Sequence, residues 1–304
     1  MNKTIIYIGD FKESYSTERY IAHALETLGY TVKMVSESGL RIKDVKMMVD
    51  EIMYHKPCLV LFSKGAPPIN GKEFIEALKK VVPTACWLFD LYFDLQGNDR
   101  KWKLEQKHPP FNVETIFSTD GGHDLEFARC GIKHKLLRQG IHEPEAILYE
   151  RELVNDIVFV GGDVFKNRGW LLDGLKSEYG DRFQWIGQGQ PVRGLELNEL
   201  YASTKIVVGD SQPTPKYWSN RVYETLGRGG FLLHPRVEGM EEFFKDKEHI
   251  VYYERGNIKQ VYELINYYLE HDDEREKIRR QGFELVKNHH TYKHRCIELM
   301  KNYE

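Results

Sequence analysis

Short apolar runs alternate with amphipathic stretches of helical period along most of this 304-residue chain. Thr4–Ile8, Thr31–Val35, Cys58–Phe62, Thr84–Phe89 and Thr115–Ser118 are β-rich and apolar at successive positions. Between them, Ser16 can cap a helix with an apolar face of Ile21, Ala24, Leu25 and Leu28, which Gly29 stops. Val45–His55 and Lys72–Val81 predict two more helices. Continuous apolar strands separated by helices predict a parallel sheet covered on both faces. The pattern breaks over Ile141–Asn155 in a charged stretch, which places a domain boundary near residue 150. Ile157–Val160 restarts it: Gly169–Tyr179 reads as helix, Phe183–Ile186 as strand and Glu196–Ser203 as helix. Beyond Ile258 the chain reads as helix to its end. The expectation is an α/β protein of two doubly wound domains, residues 1–150 and 151–304, with a cleft between them.

Residues 206–253 repeat strand, loop and helix most clearly. Ile206–Val208 leads through a polar loop into a helix over Ser219–Arg228, which Gly229 and Gly230 end before the apolar run Phe231–Leu233. A turn at Glu238–Gly239 is expected to open a further helix before a strand at Ile250–Tyr253. Both helix starts would follow strand C-terminal ends, the sheet edge where ligands bind and helix N-termini attract phosphate. Arg221 and Glu224 lie one turn apart on one face. A cation for phosphate beside a carboxylate for ribose hydroxyls suits a sugar nucleotide.

Composition narrows the choice. Hydrophobic content of 41% with 29% charged residues and a net charge of −3 is that of a soluble globular protein, without the global signature of a nucleic-acid binder. No run approaches the roughly 20 apolar residues needed to span a bilayer, and MNKTIIYIGD reads as a first strand rather than a signal peptide. Cys58, Cys86, Cys130 and Cys296 are scattered without a metal or redox spacing. A cytoplasmic location is expected.

Three segments then carry a resemblance. FVGGDVFKNRGWLL at 159–172, SNRVYETLGRGGFLL at 219–233 and NHHTYKHRCIELM at 288–300 resemble the group-one glycosyltransferases of GT-B fold. Within that group the segments are most similar to the CgeB-like, spore-maturation branch. The likeness covers about residues 155–304 and is only architectural before that. It implies two facing Rossmann-like domains, the nucleotide-sugar held by the C-terminal one, and terminal helices over about 285–304 packing back on the N-terminal domain. Carried over, Arg168 and Lys166 match a basic pair near the donor diphosphate, and Glu224 matches the ribose-binding glutamate. Ser219, Asn220 and Arg221 belong to that signature, while Gly239, Met240 and Glu241 match a donor-side glycine turn. A second glutamate common in retaining members is replaced by Lys216, which leaves the sugar contacts open.

Each candidate has a simpler structural account beside it. Gly161, Gly162 and Gly187 could admit a phosphate to the backbone or simply form turns. Arg221 and Glu224 could be an ordinary intrahelical pair, worth about 0.2–0.5 kcal/mol. In the N-terminal domain, Gly9, Asp10, Asp90 and Asp94 end strands at the expected cleft edge or cap turns. Asp120 and His123 could polarise an acceptor hydroxyl or begin a capped helix. Tyr217 and Trp218 could stack on a sugar or pack in the core. His289, His290 and His294 match a structural helix junction and not a metal site. The chain has no Asp-x-Asp motif, no nucleophile elbow and no Walker-type lysine loop.

The leading function is therefore transfer of a sugar from a nucleotide-diphosphate donor, a UDP-sugar foremost, to a hydroxyl of a glycan or small molecule. No metal or other cofactor would be required, and the resemblance implies retention of configuration. DNA is a second acceptor option, because Arg100–Lys107 and Lys133–Arg138 read as basic loops. A non-catalytic sugar-nucleotide-binding or coat-assembly protein is the option of another class.

Overall fold

The computed structural model describes residues 3–36, 44–63, 71–93, 109–162, 167–187 and 192–303. They form two units, Met1–Gln139 with Tyr292–Glu304, and Gly140–Thr291.

In the first unit, strands β1 (Thr4–Gly9), β2 (Thr31–Ser36), β3 (Leu59–Ser63), β4 (Thr84–Leu88), β5 (Thr115–Ser118) and β6 (His134–Leu136) form one parallel sheet, ordered β2-β1-β3-β4-β5-β6. Helix α1 (Thr17–Thr27) starts where the sequence suggests, with the Ser16 hydroxyl accepting the Arg19 amide at 3.3 Å. It ends at Gly29, whose φ of 86° suits glycine. Ile21, Ala24 and Leu25 of α1 cover one face of the sheet together with Tyr292, Cys296 and Leu299 of the terminal helix α10 (Tyr292–Met300). Helices α2 (Val45–Tyr54), α3 (Gly71–Leu78) and α4 (Asp124–Arg129) cover the other through Ile52, Phe74 and Phe127. Burial on both faces explains why these strands read as unbroken apolar runs.

The second unit repeats the scheme. Strands β7 (Asn155–Val160), β8 (Phe183–Ile186), β9 (Thr204–Val208), β10 (Leu232–Pro235) and β11 (Val251–Tyr253) are parallel, in the order β11-β10-β9-β7-β8. Helices α5 (Gly169–Tyr179) and α8 (Ile258–Glu270) pack on one face, α6 (Gly194–Ala202), α7 (Arg221–Gly227) and α9 (Asp272–His289) on the other.

The structure differs from the sequence expectations in three places. The division lies at 139/140 rather than near 150, because the charged stretch packs into the second unit: Ile141 and Ala146 join its core, and Asn198 Nδ2 donates to the Glu145 carbonyl at 2.8 Å. The segment after Gly239 is a series of turns rather than a helix. Met240 and Phe244 are buried there, and the Phe244 amide bonds back to the Met240 carbonyl at 3.0 Å, but positive φ at Gly239 (79°) and Lys247 (56°) brackets the segment and keeps it from extending into a helix. Lys133–Arg138 is not a basic loop: His134–Leu136 is edge strand β6, and Arg138 is buried. The other basic segment, Arg100–Lys107, lies outside the described residues.

Candidate functional site

The chain reverses direction across the second sheet between β7 and β9, and in open α/β folds ligands bind beyond the strand ends at such a point. What stands there is a charge cluster. Asp210, one residue past Gly209 at the end of β9, is 1% exposed at its side chain. Arg168 Nε meets one carboxylate oxygen at 3.1 Å and Arg255 Nε lies 3.4 Å from the other. Arg168 is the residue before α5, donates to the Gly162 carbonyl and lies 5.6 Å from the Phe159 ring. Arg255, just after β11, donates to the Ser211 and Asn167 carbonyls at 3.1 and 3.3 Å and lies 5.8 Å from the Trp170 ring. Burial pushes the Asp210 carboxyl up, and the two guanidinium groups pull against that shift.

Two guanidinium groups around one carboxylate leave one net positive charge. Arg168 and Arg255 stay 22% and 27% exposed, so both can reach a ligand. Among the described residues no side chain caps α5, so its N-terminal amides add to that field. The cluster has the makings of a diphosphate site. A cavity of about 200 Å3 opens beside it, lined by Ser211, Gln212, Thr214, Pro235, Glu238 and Arg255. Sequence reading found Arg168 but missed Asp210 and Arg255, since Asp210 looks like an ordinary strand-end turn and Arg255 lies 87 positions from Arg168.

The glycines near Arg168 have packing reasons. A Cβ on Gly187 (φ 141°) would sit 2.8 Å from the backbone of Gly161, whose amide donates to the Ile186 carbonyl at 2.8 Å. The loops after β7 and β8 touch backbone to backbone, and Trp185 Nε1 ties them by donating to the Gly161 carbonyl at 2.8 Å. Lys166, the expected partner of Arg168, lies outside the described residues.

Glu224 sits on α7 with its carboxylate 12% exposed. One oxygen accepts from Asn220 Nδ2 at 3.0 Å; the other accepts from Arg228 Nε and Nη2 at 2.9 and 2.7 Å. Its ion-pair partner is thus Arg228 rather than Arg221, whose side chain makes no hydrogen bond or ion pair among the described residues. Ser219 and Asn220 are half-buried ahead of α7, whereas Trp218 is buried against Phe243 and donates to the Tyr223 hydroxyl at 3.0 Å. Tyr217 is buried too. Trp218 belongs to the core cluster of this unit. Of the glycine turn, Gly239 has φ of 79°, Met240 is in the core and Glu241 pairs on the surface with Arg236.

In the first unit, Asp120 and His123 come together beyond β5. The carboxylate of fully buried Asp120 lies 2.8 Å from His123 Nδ1 and accepts the Gly122 amide at 3.1 Å. With Asp120 as acceptor, Nδ1 carries the hydrogen. The helix start falls at Asp124, with His123 at the N-cap position making no side-chain capping bond to the helix. Gly9 leaves room for Glu18 and Ser63, each 3.0 Å from where its Cβ would lie, in a buried chain from the Tyr7 hydroxyl through Ser63 to Glu18. Asp10 accepts the Lys12 amide, Asp90 is exposed, and Asp94 lies outside the described residues.

Residues 167–301 match a family model described as Glycosyl transferase-like. The match spans the second unit's arginine cluster, α7 and the terminal helices. No curated protein matches the chain. Solved structures match over nearly the whole length at low identity. A glycosyltransferase from Rickettsia africae ESF-5 superposes with a TM-score of 0.70 at 11% identity, covering 99% of this chain and 98% of that one. HepE of Anabaena, solved in complex with UDP-glucose, gives 0.65 at 12%, covering 98% and 99%. Sucrose-phosphate synthase of Thermosynechococcus elongatus gives 0.66 at 13%, covering 99% and 98%. The fold, two parallel-sheet Rossmann-like units, is that of GT-B glycosyltransferases, and the family match supports an enzyme of that kind. Among the described residues no helix is long and apolar enough to cross a membrane.

Proposed function

We propose that this protein transfers a sugar from a UDP-sugar to an acceptor hydroxyl on a glycan or small molecule. The observation that carries the reading is the arrangement of Arg168 and Arg255 around Asp210 at the turning point of the second sheet. As the glycosidic bond breaks, negative charge grows on the departing diphosphate. Two guanidinium groups and the α5 amides, fixed before the reaction, stabilise that charge without reorganisation. Metal-independent transfer with retention, of the CgeB-like kind, belongs to this proposal. So does the role of Glu224 toward the ribose, for which its Oε1, engaged once by Asn220, keeps accepting capacity. For the acceptor, we assign the Asp120–His123 pair to polarising the hydroxyl. The UDP-binding of the Anabaena protein supports the choice of base. A thermal-shift screen across UDP-, GDP-, dTDP-, ADP- and CMP-sugars tests the reading. Stabilisation by a UDP-sugar, lost in Arg168→Ala, supports it; no stabilisation by any sugar nucleotide overturns it.

A further inference from the structure

Arg228 is the most completely engaged side chain near the candidate site. It is 1% exposed, at the end of α7 where the sequence suggested nothing more than a helix terminus. A guanidinium has five N–H donors, and here each has an acceptor. Nε and one hydrogen of Nη2 go to a single Glu224 oxygen at 2.9 and 2.7 Å. The other Nη2 hydrogen goes to Glu145, and Nη1 donates to Asn198 Oδ1 and, at 3.1 Å, to the Gly194 carbonyl. Asn198, itself fully buried, donates to the Glu145 carbonyl at 2.8 Å, so the frame around Arg228 is closed on the far side from Glu224. Burial opposes the charge, but Glu224 and Glu145 outweigh it and hold the guanidinium above its usual range.

With no donor left over, Arg228 has nothing to offer a ligand directly. We propose that Arg228 is a positioning residue that fixes Glu224 for the ribose hydroxyls of the donor and so sets the preference for ribonucleotide over 2′-deoxyribonucleotide. The fork holds Glu224 Oε2 through two donors and leaves Oε1 with the single donor Asn220 Nδ2. The inference rests on the assignment of Glu224 to the ribose made above. A lysine has three donors on one atom and cannot hold Glu224, Glu145, Asn198 and Gly194 together.

Calorimetric binding of UDP and of 2′-deoxy-UDP tests this without knowledge of the acceptor. The wild type is expected to bind UDP about 10-fold or more tighter than 2′-deoxy-UDP, since a buried polar site rejects an analogue that leaves it unpaired. Arg228→Lys is expected to lower that ratio to within about 3-fold of unity, mainly by weakening UDP. Should Arg228→Lys fold poorly, Asn198→Ala removes one of the acceptors and is expected to shift the ratio in the same direction by a smaller factor. In a Glu224→Gln background the Arg228→Lys change is expected to leave the ratio where Glu224→Gln alone puts it. A role confined to stability would weaken both nucleotides equally. A wild-type ratio retained in both Arg228→Lys and Asn198→Ala, with Glu224→Gln abolishing it, overturns the inference while leaving Glu224 in place. A wild type that binds UDP and 2′-deoxy-UDP alike, or neither, overturns the Glu224 assignment beneath it.

Discussion

His234 is the sharpest place to test the electrostatics of the second unit. It lies in β10, 2% exposed, and its Nδ1 donates to the Pro235 carbonyl at 2.8 Å. Among the described residues Nε2 is buried without a hydrogen-bond partner. Burial, with the positive charge of Arg168 acting in the same direction, pulls the imidazole down from 6.5 to about 4. The sign follows from which state binds protons. Between those values the unfolded chain protonates His234 and the folded protein does not, so stability is fullest above the unfolded pKa and is lost as pH falls toward 4. At about 1.4 kcal/mol per pH unit, most of that window is crossed by about pH 4.5, a loss of about 2.5 kcal/mol. His234→Leu removes the titration but also the donor to Pro235, worth about 1 kcal/mol. Urea unfolding of both proteins at about pH 7.5 and pH 4.5 should therefore show an inversion. The variant should be less stable than wild type by about 1 kcal/mol at the higher pH and more stable by a similar amount at the lower. Parallel losses in both proteins across that range would refute the neutral, buried assignment of His234.

Other consequences are as direct. Arg168→Ala should lower kcat by ~10²–10³-fold, and Arg255→Ala should weaken kcat in the same way, because both are assigned to charge that grows in the transition state; steady-state kinetics with the sugar nucleotide that gives the largest thermal shift checks both. Glu224→Gln should instead raise the donor KM with less effect on kcat, since ribose hydroxyls look alike in ground and transition states. Gly187→Ala should destabilise the second unit by about 2 kcal/mol, from the backbone overlap with Gly161, whereas Gly29→Ala, with open space around it, should cost only about 1 kcal/mol for its positive φ; paired urea titrations separate the two. Transfer measured with and without EDTA should be equal.

The strands were legible because they are buried on both faces, so Ile5 to Ile8, Leu59 to Phe62 and Ile206 to Val208 show as apolar runs in the sequence itself. Helix starts with a real cap, such as Ser16, were legible as well. The segment after Gly239 misled for a physical reason. Met240, Phe243 and Phe244 have the spacing of one helical face, pack inward as such a face would and close a helical turn, yet positive φ at Gly239 and Lys247 keeps that turn from growing into a helix. The short edge strand β6 carries too little apolar patterning to be distinguished from a basic loop.

Within the candidate site, Arg168 and Glu224 were legible through the resemblance, but their partners were not. Which arginine pairs with Glu224 depends on α6 and the Glu143–Glu145 turn closing around position 228, contacts made across 30 and 83 residues of chain. Asp210 and Arg255 likewise meet only because β9 and β11 end at the same sheet edge. Local pattern reports what a segment buries. It does not report which charges the fold brings together.

Hydrogen exchange with and without UDP tests the central claim most directly, because it locates the donor without requiring an acceptor. Slowed exchange is expected at the amides following β7 and β9, at the start of α5 and around Arg255, with the Glu224 turn included. Protection confined to the first unit, or no change anywhere under saturating UDP, would contradict the assignment of the donor site to the arginine cluster.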